Sequence, residues 1–121
     1  MVPALAPHQH DIERICRRFR VRRLELFGSA ATGQARPGQS DLDFLVEFED
    51  LPPGTYADAY FGLLEGLTAL FGRPVDLVES ASIRNPYFRQ SVDLTKVLIF
   101  PIVTVAFDDD SGRWPQLIRR E

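Results

Sequence analysis

The chain of 121 residues lacks several features that define other classes of protein. Its only cysteine is Cys16, so an internal disulfide is excluded, and we interpret this residue as a buried or partly buried thiol in a reducing cytoplasm. No apolar run approaches the roughly 20 residues that span a bilayer, so we expect no membrane association. The first residues have no basic start followed by a long apolar block, which argues against a secretory signal.

An excess of positive charge is also absent. The formal net charge is −3, so no global basic field would hold an extended nucleic acid, although a single nucleotide needs only local charge. The most basic stretch covers residues 17–23 and contains five arginines. It is interpreted either as a solvated helix end, where cations complement the helix dipole, or as a surface for an acidic partner or nucleic acid.

What is present is typical of one small globular domain, with 45% hydrophobic and 26% charged residues. We expect a domain over residues 1–100 and a tail of uncertain structure over 101–121. Periodicity predicts helices over 8–19 and 56–71 and a last helix that starts near Pro86. Alternating patterns predict strands over 21–27, 42–48 and 75–79, while residues 97–107 suit either an edge strand or a helix end followed by an extended arm. Gly62 and Gly66, four residues apart, predict close packing of the second helix.

Two short polar features predict local structure between these elements. Ser29 is expected to cap a short helix that ends at Gly33, and residues 80–82 to cap the last helix. Ser29 also follows Gly28 directly after a strand, and turns of this kind point backbone N–H groups at phosphate. For Ser29, a simple cap and a phosphate contact both remain open.

Acidic residues in the predicted strands indicate a metal site. Asp41 and Asp43 are two residues apart, so on a strand both carboxylates lie on one face and repel each other unless a cation separates them. Oxygen ligands favour Mg²⁺ or Mn²⁺. Asp76 lies between apolar neighbours of a later strand, where an acid is costly to bury unless it is paired or bound to a cation.

Together, these motifs resemble the minimal nucleotidyltransferases, or MNT group, of the polymerase-β-like superfamily. The resemblance covers residues 8–96 and rests on LFGS at 26–29, Gly33, Arg36-Pro37, SDLD at 40–43 and VDLV at 75–78. It implies an α/β (α+β) fold in which a small mixed sheet is flanked by helices. It also implies ATP as substrate and two Mg²⁺ ions.

The resemblance assigns roles to individual residues. Asp41 and Asp43 match the family's metal-binding pair, and Asp76 matches its third carboxylate, which would either accept the proton of the attacking hydroxyl or orient a metal. Gly28 and Ser29 match the turn that holds the β- and γ-phosphates.

Two further residues and the length of one loop also bear on the assignment of these roles. Arg36 is a candidate for an additional phosphate contact. Ala30 stands where many members carry arginine, which removes one possible phosphate or partner contact. The loop between Ser29 and Asp41 is one residue longer than in many minimal members.

The acceptor is inferred from the family as well. Many MNT proteins are encoded with a helical HEPN ribonuclease and act as its antitoxin by transferring AMP to a tyrosine of that toxin. This is the leading hypothesis for the present chain. One alternative is a non-catalytic antitoxin that neutralises its partner by binding. Another is transfer to a small molecule such as an aminoglycoside, for which a homo-oligomer would complete the acceptor site.

Overall fold

The structure is a computed structural model that describes residues 5–33, 41–101, 103–106 and 116–119. The helices are α1 (Gln9–Arg18), α2 (Ser29–Thr32), α3 (Tyr56–Phe71) and α4 (Pro86–Thr95), with short 3-10 turns at Ala6–His8 and Ser80–Ser82. The strands are β1 (Val21–Phe27), β2 (Leu42–Phe48), β3 (Val75–Glu79), β4 (Val97–Phe100), β5 (Val103–Ala106) and β6 (Gln116–Arg119). Within the described residues, no helix is long and apolar enough to cross a membrane.

Four strands form one mixed sheet in the order β3-β2-β1-β4. β1 pairs antiparallel with both β2 and β4, whereas β2 and β3 are parallel and are connected through α3. The predicted mixed sheet flanked by helices is therefore confirmed. Of the two structures considered for residues 97–107, the edge strand is present as β4, and β5 pairs with β6 in a separate two-stranded sheet.

The two faces of the sheet are covered unequally. Alternate residues of β1 and β2 face α1 and α3, and their side chains, with those of the helices, form the larger core: Leu24, Leu26, Phe44, Val46, Ile12, Cys16, Leu63 and Leu67 are all at most 1% exposed. We call this the α1–α3 face. The opposite side, the α4 face, carries a smaller cluster of Phe27, Leu45 and Val92. Since burial of one large apolar side chain stabilises a fold by about 1.5–3 kcal/mol, most of the stability comes from the α1–α3 face.

Helix α3 packs against α1 through its two glycines, as predicted. A Cβ atom on Gly62 would lie 2.2 Å from Cε1 of Phe19, and one on Gly66 would lie 3.2 Å from Cγ2 of Ile15. The first distance is shorter than any real Cβ contact. Glycine at residue 62 therefore allows the two helices to approach as closely as they do.

The capping predictions need correction. Gly28, and not Ser29, is the N-cap residue of α2, and Ser29 is the first helical residue. Residues 80–82 form a 3-10 turn, and α4 is capped instead by Asn85, whose Oδ1 accepts the Tyr87 N–H at 2.9 Å. Asn85 has extended backbone before a proline and is free to act as the cap, whereas the serines lie too early in the chain.

Candidate active site

The predicted site residues gather where three strands end or begin. Because β1 runs antiparallel to β2 and β2 runs parallel to β3, the end of β1 lies beside the starts of the other two strands. In the register, Phe27 is opposite Asp43, and Asp43 is opposite Asp76. Cross-strand partners share a face of the sheet, so both carboxylates are on the α4 face as immediate neighbours.

The third carboxylate precedes β2. Asp41 is exposed, as is Asp76, whereas Asp43 is half-buried between its neighbours. The N–H of Leu42 donates to the carbonyl of Pro74 at 3.1 Å, which holds the start of β2 against the start of β3. This bond places the residues around Asp41 at the same end of the sheet as Asp76.

Electrostatics couple the three acids. Burial raises the pKa of the Asp43 carboxyl above its ordinary value, and the negative charges of Asp76 and then Asp41 raise that pKa further. A carboxyl that is disfavoured in its ionised form by two nearby anions gains most from a bound cation. The coupling predicted from the two-residue spacing of Asp41 and Asp43 is thus present, with Asp76 as the larger of the two contributors.

The turn after β1 comes into direct contact with this group. Gly28 has φ +74° and ψ −153°, and a Cβ atom placed on it would lie 2.8 Å from Oδ2 of Asp43. Any side chain at this residue would therefore displace the carboxylate. The turn and the acid, which are the predicted phosphate-binding and metal-binding parts, are therefore in direct contact.

The backbone groups of the turn are divided between two uses. The Gly28 N–H donates to Oγ1 of Thr95 at 3.0 Å, while the Gly28 carbonyl accepts the N–H groups of Ala31 and Thr32 at 3.1 and 3.3 Å. The first N–H groups of a helix have no acceptor within the helix itself, and in α2 these belong to Ser29 and Ala30. Gly28 provides the close approach to Asp43, and the residues after it provide N–H donors.

The donor set suits a hard divalent cation, because it consists of carboxylate oxygens alone. Among the described residues, no three or more histidine, cysteine, aspartate or glutamate side chains already converge as metal ligands. A bound cation would offset the mutual repulsion of the ionised carboxylates. The predicted residues therefore fit Mg²⁺, because they are carboxylates and lie at the same end of the sheet.

Two further residues bear on the site, Arg36, which was predicted, and Thr95, which was not. Arg36, the candidate for a phosphate contact, lies outside the described residues. Thr95 was missed by sequence reasoning although its hydroxyl touches the turn. Its sequence context resembles that of any threonine near the end of a helix, such as Thr68, so no local signal distinguishes it.

Comparison with known proteins identifies the family. The family model for the nucleotidyltransferase domain matches residues 12–98. The protein adenylyltransferase MntA of Thermococcus cleftensis is 37% identical over 81 residues, which is 67% of this chain and 75% of that protein. The protein MJ1379 of Methanocaldococcus jannaschii, provisionally named a protein adenylyltransferase, is 36% identical over 76 residues, or 63% of this chain and 74% of that protein.

Solved structures with a similar fold are consistent with this family. One provisionally named a minimal nucleotidyltransferase superimposes with a TM-score of 0.64 at 31% identity, covering 79% of this chain and 93% of that one. A toxin–antitoxin structure with AMP-PNP gives a TM-score of 0.58 at 23% identity over 76% and 72% of the two chains, and shows likeness of fold. The resemblance stated from the Gly-Ser turn and the three aspartates is confirmed: the chain belongs to the nucleotidyltransferase-domain family, among its minimal nucleotidyltransferases.

Proposed function

We propose that this chain transfers AMP from ATP to a hydroxyl group of a partner protein, with Asp41, Asp43 and Asp76 as ligands of Mg²⁺. One observation carries the proposal. The glycine turn after β1 packs against Asp43 at the place where the parallel register puts Asp76 beside it. Phosphate donors and metal ligands are thereby combined at one end of the sheet.

The reaction follows from these groups. The acceptor oxygen forms a bond to the α-phosphorus of ATP while the bond from that phosphorus to the bridging oxygen breaks, and pyrophosphate leaves. Asp41, Asp43 and Asp76 would hold two Mg²⁺ ions, which when bound would neutralise charge on the entering and departing oxygens. Asp76, which is exposed at the start of β3, would either accept the proton of the acceptor hydroxyl or orient a metal.

The turn provides positioning for the triphosphate. The hydroxyl and N–H of Ser29, with the N–H of Ala30, are the donors available to the β- and γ-phosphates, since the Gly28 N–H is already bonded to Thr95. Arg36 is retained as a further candidate for a phosphate contact. Preorganised donors of this kind hold the leaving group in line for attack.

A protein acceptor is supported by the relatives and by the openness of the site. Relatives at 36% and 37% identity are named protein adenylyltransferases, and Asp41 and Asp76 are exposed. The acceptor we infer is a tyrosine hydroxyl of a cognate HEPN toxin, so that the chain acts as its antitoxin in the cytoplasm. An exposed set of carboxylates allows a partner to deliver its side chain directly.

The test compares the chain with a variant in which Asp41 and Asp43 are both replaced by asparagine. The cognate HEPN protein is incubated with Mg-ATP and either form, and its intact mass is recorded. The wild type is expected to add one or more AMP groups, which peptide mapping assigns to tyrosine, and the double variant to add none. Asp50→Asn, a change of an exposed loop acid, is the matched control and should retain transfer.

Two results would contradict the proposal. An unmodified toxin in the presence of wild type and Mg-ATP would exclude adenylyl transfer to this partner. If the double variant, at equal protein level, still neutralised the toxin in cells, neutralisation would occur through complex formation alone.

A further inference from the structure

The last turn of α4 is bonded to the turn after β1 through one hydroxyl group. Oγ1 of Thr95 accepts the Gly28 N–H at 3.0 Å. The same hydroxyl donates its proton towards the carbonyl oxygens of Ser91, at 3.1 Å, and Val92, at 3.4 Å. The hydroxyl is thus fixed from its own helix on one side and holds the backbone of Gly28 on the other.

Gly28 is located between two fixed groups as a result. On one side it approaches Oδ2 of Asp43 so closely that a Cβ atom there would lie 2.8 Å away. On the other side its N–H is bonded to Thr95. The distance between the Asp43 carboxylate and the N–H groups that begin at Ser29 is therefore determined by the helix that ends at Thr95.

The position of α4 does not itself depend on Thr95. Val92 is fully buried in a cluster with Phe27 and Leu45, and the ring of Phe88 contacts the edge of Phe27 at a centroid distance of 5.9 Å. These contacts anchor the helix on the sheet through apolar packing. Removal of the Thr95 hydroxyl should consequently free the turn without displacing the helix.

We infer that Thr95 is a positioning residue for nucleotidyl transfer, whose hydroxyl holds the Gly28–Ser29 turn at the distance from Asp43 that the bound triphosphate requires. The inference rests on the proposed function and adds to it a residue outside the predicted site. Thr95 acts through the turn and does not contact substrate. Small displacements of positioning groups reduce rates strongly, by about 10²-fold for a displacement of about 1 Å.

The experiment uses Thr95→Val, Thr95→Ser and the matched control Thr68→Val in the full chain. Oγ1 of Thr68 donates to the carbonyl of Leu64 at 2.7 Å, four residues earlier, as Thr95 does to Ser91, but Thr68 is at an exposed position of α3. Mg-ATP binding is measured by calorimetry, and transfer kinetics are measured with the HEPN acceptor. Hydrogen exchange of the Gly28 amide is followed by NMR.

For Thr95→Val we expect about a tenfold weaker affinity for Mg-ATP and faster exchange at Gly28, with the KM for the acceptor protein unchanged. Thr95→Ser retains the hydroxyl and should restore ATP affinity and Gly28 protection to within about threefold of wild type. Thr68→Val should be equal to wild type in all three measurements. Serine rescue separates the hydrogen bond from a loss of packing.

Failure of the inference is distinguishable from failure of the proposed function. If the wild type binds and transfers nucleotide while Thr95→Val equals Thr68→Val, the inference is overturned and the proposed function stands. Weak ATP binding by Thr95→Ser as well as by Thr95→Val would also overturn it, because the hydroxyl alone would then not be sufficient to position the turn. A wild type that does not bind Mg-ATP overturns both.

Discussion

The two faces of one sheet have different tasks, and β2 contributes to both. Phe44 is fully buried on the α1–α3 face, whereas its neighbour Asp43 is half-buried on the α4 face beside Asp76. Because side chains of a strand alternate between faces, one strand can stabilise the fold with one set of residues and present ligands with the other. The larger core bears most of the stability, and the thinner face leaves room for the site.

Each face also contains one glycine that permits a very close approach. Gly62 allows Phe19 of the α1–α3 face to pack where a Cβ would stand, and Gly28 does the same for the Asp43 carboxylate. The first contact joins two helices, and the second joins a turn to an acid. Substitutions on the α1–α3 face should therefore reduce stability, and those on the α4 face should reduce activity.

The largest difference between the effect on activity and the effect on stability is expected for Asp43→Asn. Loss of a ligand of the proposed Mg²⁺ should reduce adenylyl transfer by about 10³-fold, measured as initial rate with the HEPN acceptor. Thermal unfolding of the same variant without metal should occur at a higher temperature than that of wild type at pH 7. A lower melting temperature together with intact transfer would reverse the roles assigned to the two faces.

The sign of that stability effect follows from the raised pKa of Asp43. A carboxyl whose pKa is higher in the folded chain contributes stability that is fully present below its unfolded pKa. That contribution is lost as the pH rises through the folded pKa. The wild type loses this contribution as the pH rises above the unfolded pKa, so removal of the charge is favourable there, and the advantage of asparagine should disappear as the pH falls below the unfolded pKa.

Truncation of a core side chain on the α1–α3 face should instead reduce stability and leave activity nearly unchanged. Leu63 is fully buried in α3, so Leu63→Ala should lower the free energy of unfolding by about 2–5 kcal/mol, measured by urea denaturation. The rate of transfer per folded molecule should stay within about twofold of wild type at low temperature, since Leu63 lies in the core of the α1–α3 face whereas Asp43 and Asp76 lie on the α4 face. A large loss of transfer by fully folded protein would show that the faces are coupled.

The two glycines of α3 sharpen the comparison within one face. Gly62→Ala forces Phe19 aside and should destabilise the protein by about 1–2 kcal/mol, although alanine favours the helix by about 1 kcal/mol. Gly66→Ala meets Ile15 at 3.2 Å, so this cost and the same helical gain should nearly cancel. Equal melting temperatures for the two variants would show that the Phe19 contact is not a constraint on α1 and α3.

The smallest expected effect concerns Cys16 on the α1–α3 face. Burial and then the nearby charge of Glu13 raise the pKa of its thiol, so its stability contribution is present below the unfolded pKa, about 8.5, and declines above it. The wild type should therefore be less stable at pH 9 than at pH 7, as measured by urea denaturation. Cys16→Ala, less stable at every pH, should lack this decline, and an identical decline in both proteins would assign it to other groups.

Much of the fold could be predicted because its patterns are local. The alternation in β2 and the stripe of α3, which ends at Gly72 before a proline, gave bounds that match the structure. The caps were harder to predict, since Gly28 and Asn85 occupy the cap positions because of the path of the chain as well as their residue type. Periodicity alone did not reveal that Asp43 lies beside Asp76, because parallel register depends on the packing of the intervening helix. Thr95 was undetectable because its partner, Gly28, is 67 residues away in the sequence.

The parallel pairing of β2 with β3 has a consequence for how the chain folds. Asp43 and Asp76 are separated by the whole of α3, so they become neighbours only when a non-local strand pair closes after that helix has formed. Such pairings carry a loop-closure cost and form slowly compared with local contacts. The affinity for a divalent cation should therefore arise late in refolding, after helical structure is complete. We expect a metal-dependent signal in stopped-flow refolding to lag behind circular dichroism, which would make the site a reporter of the final assembly step.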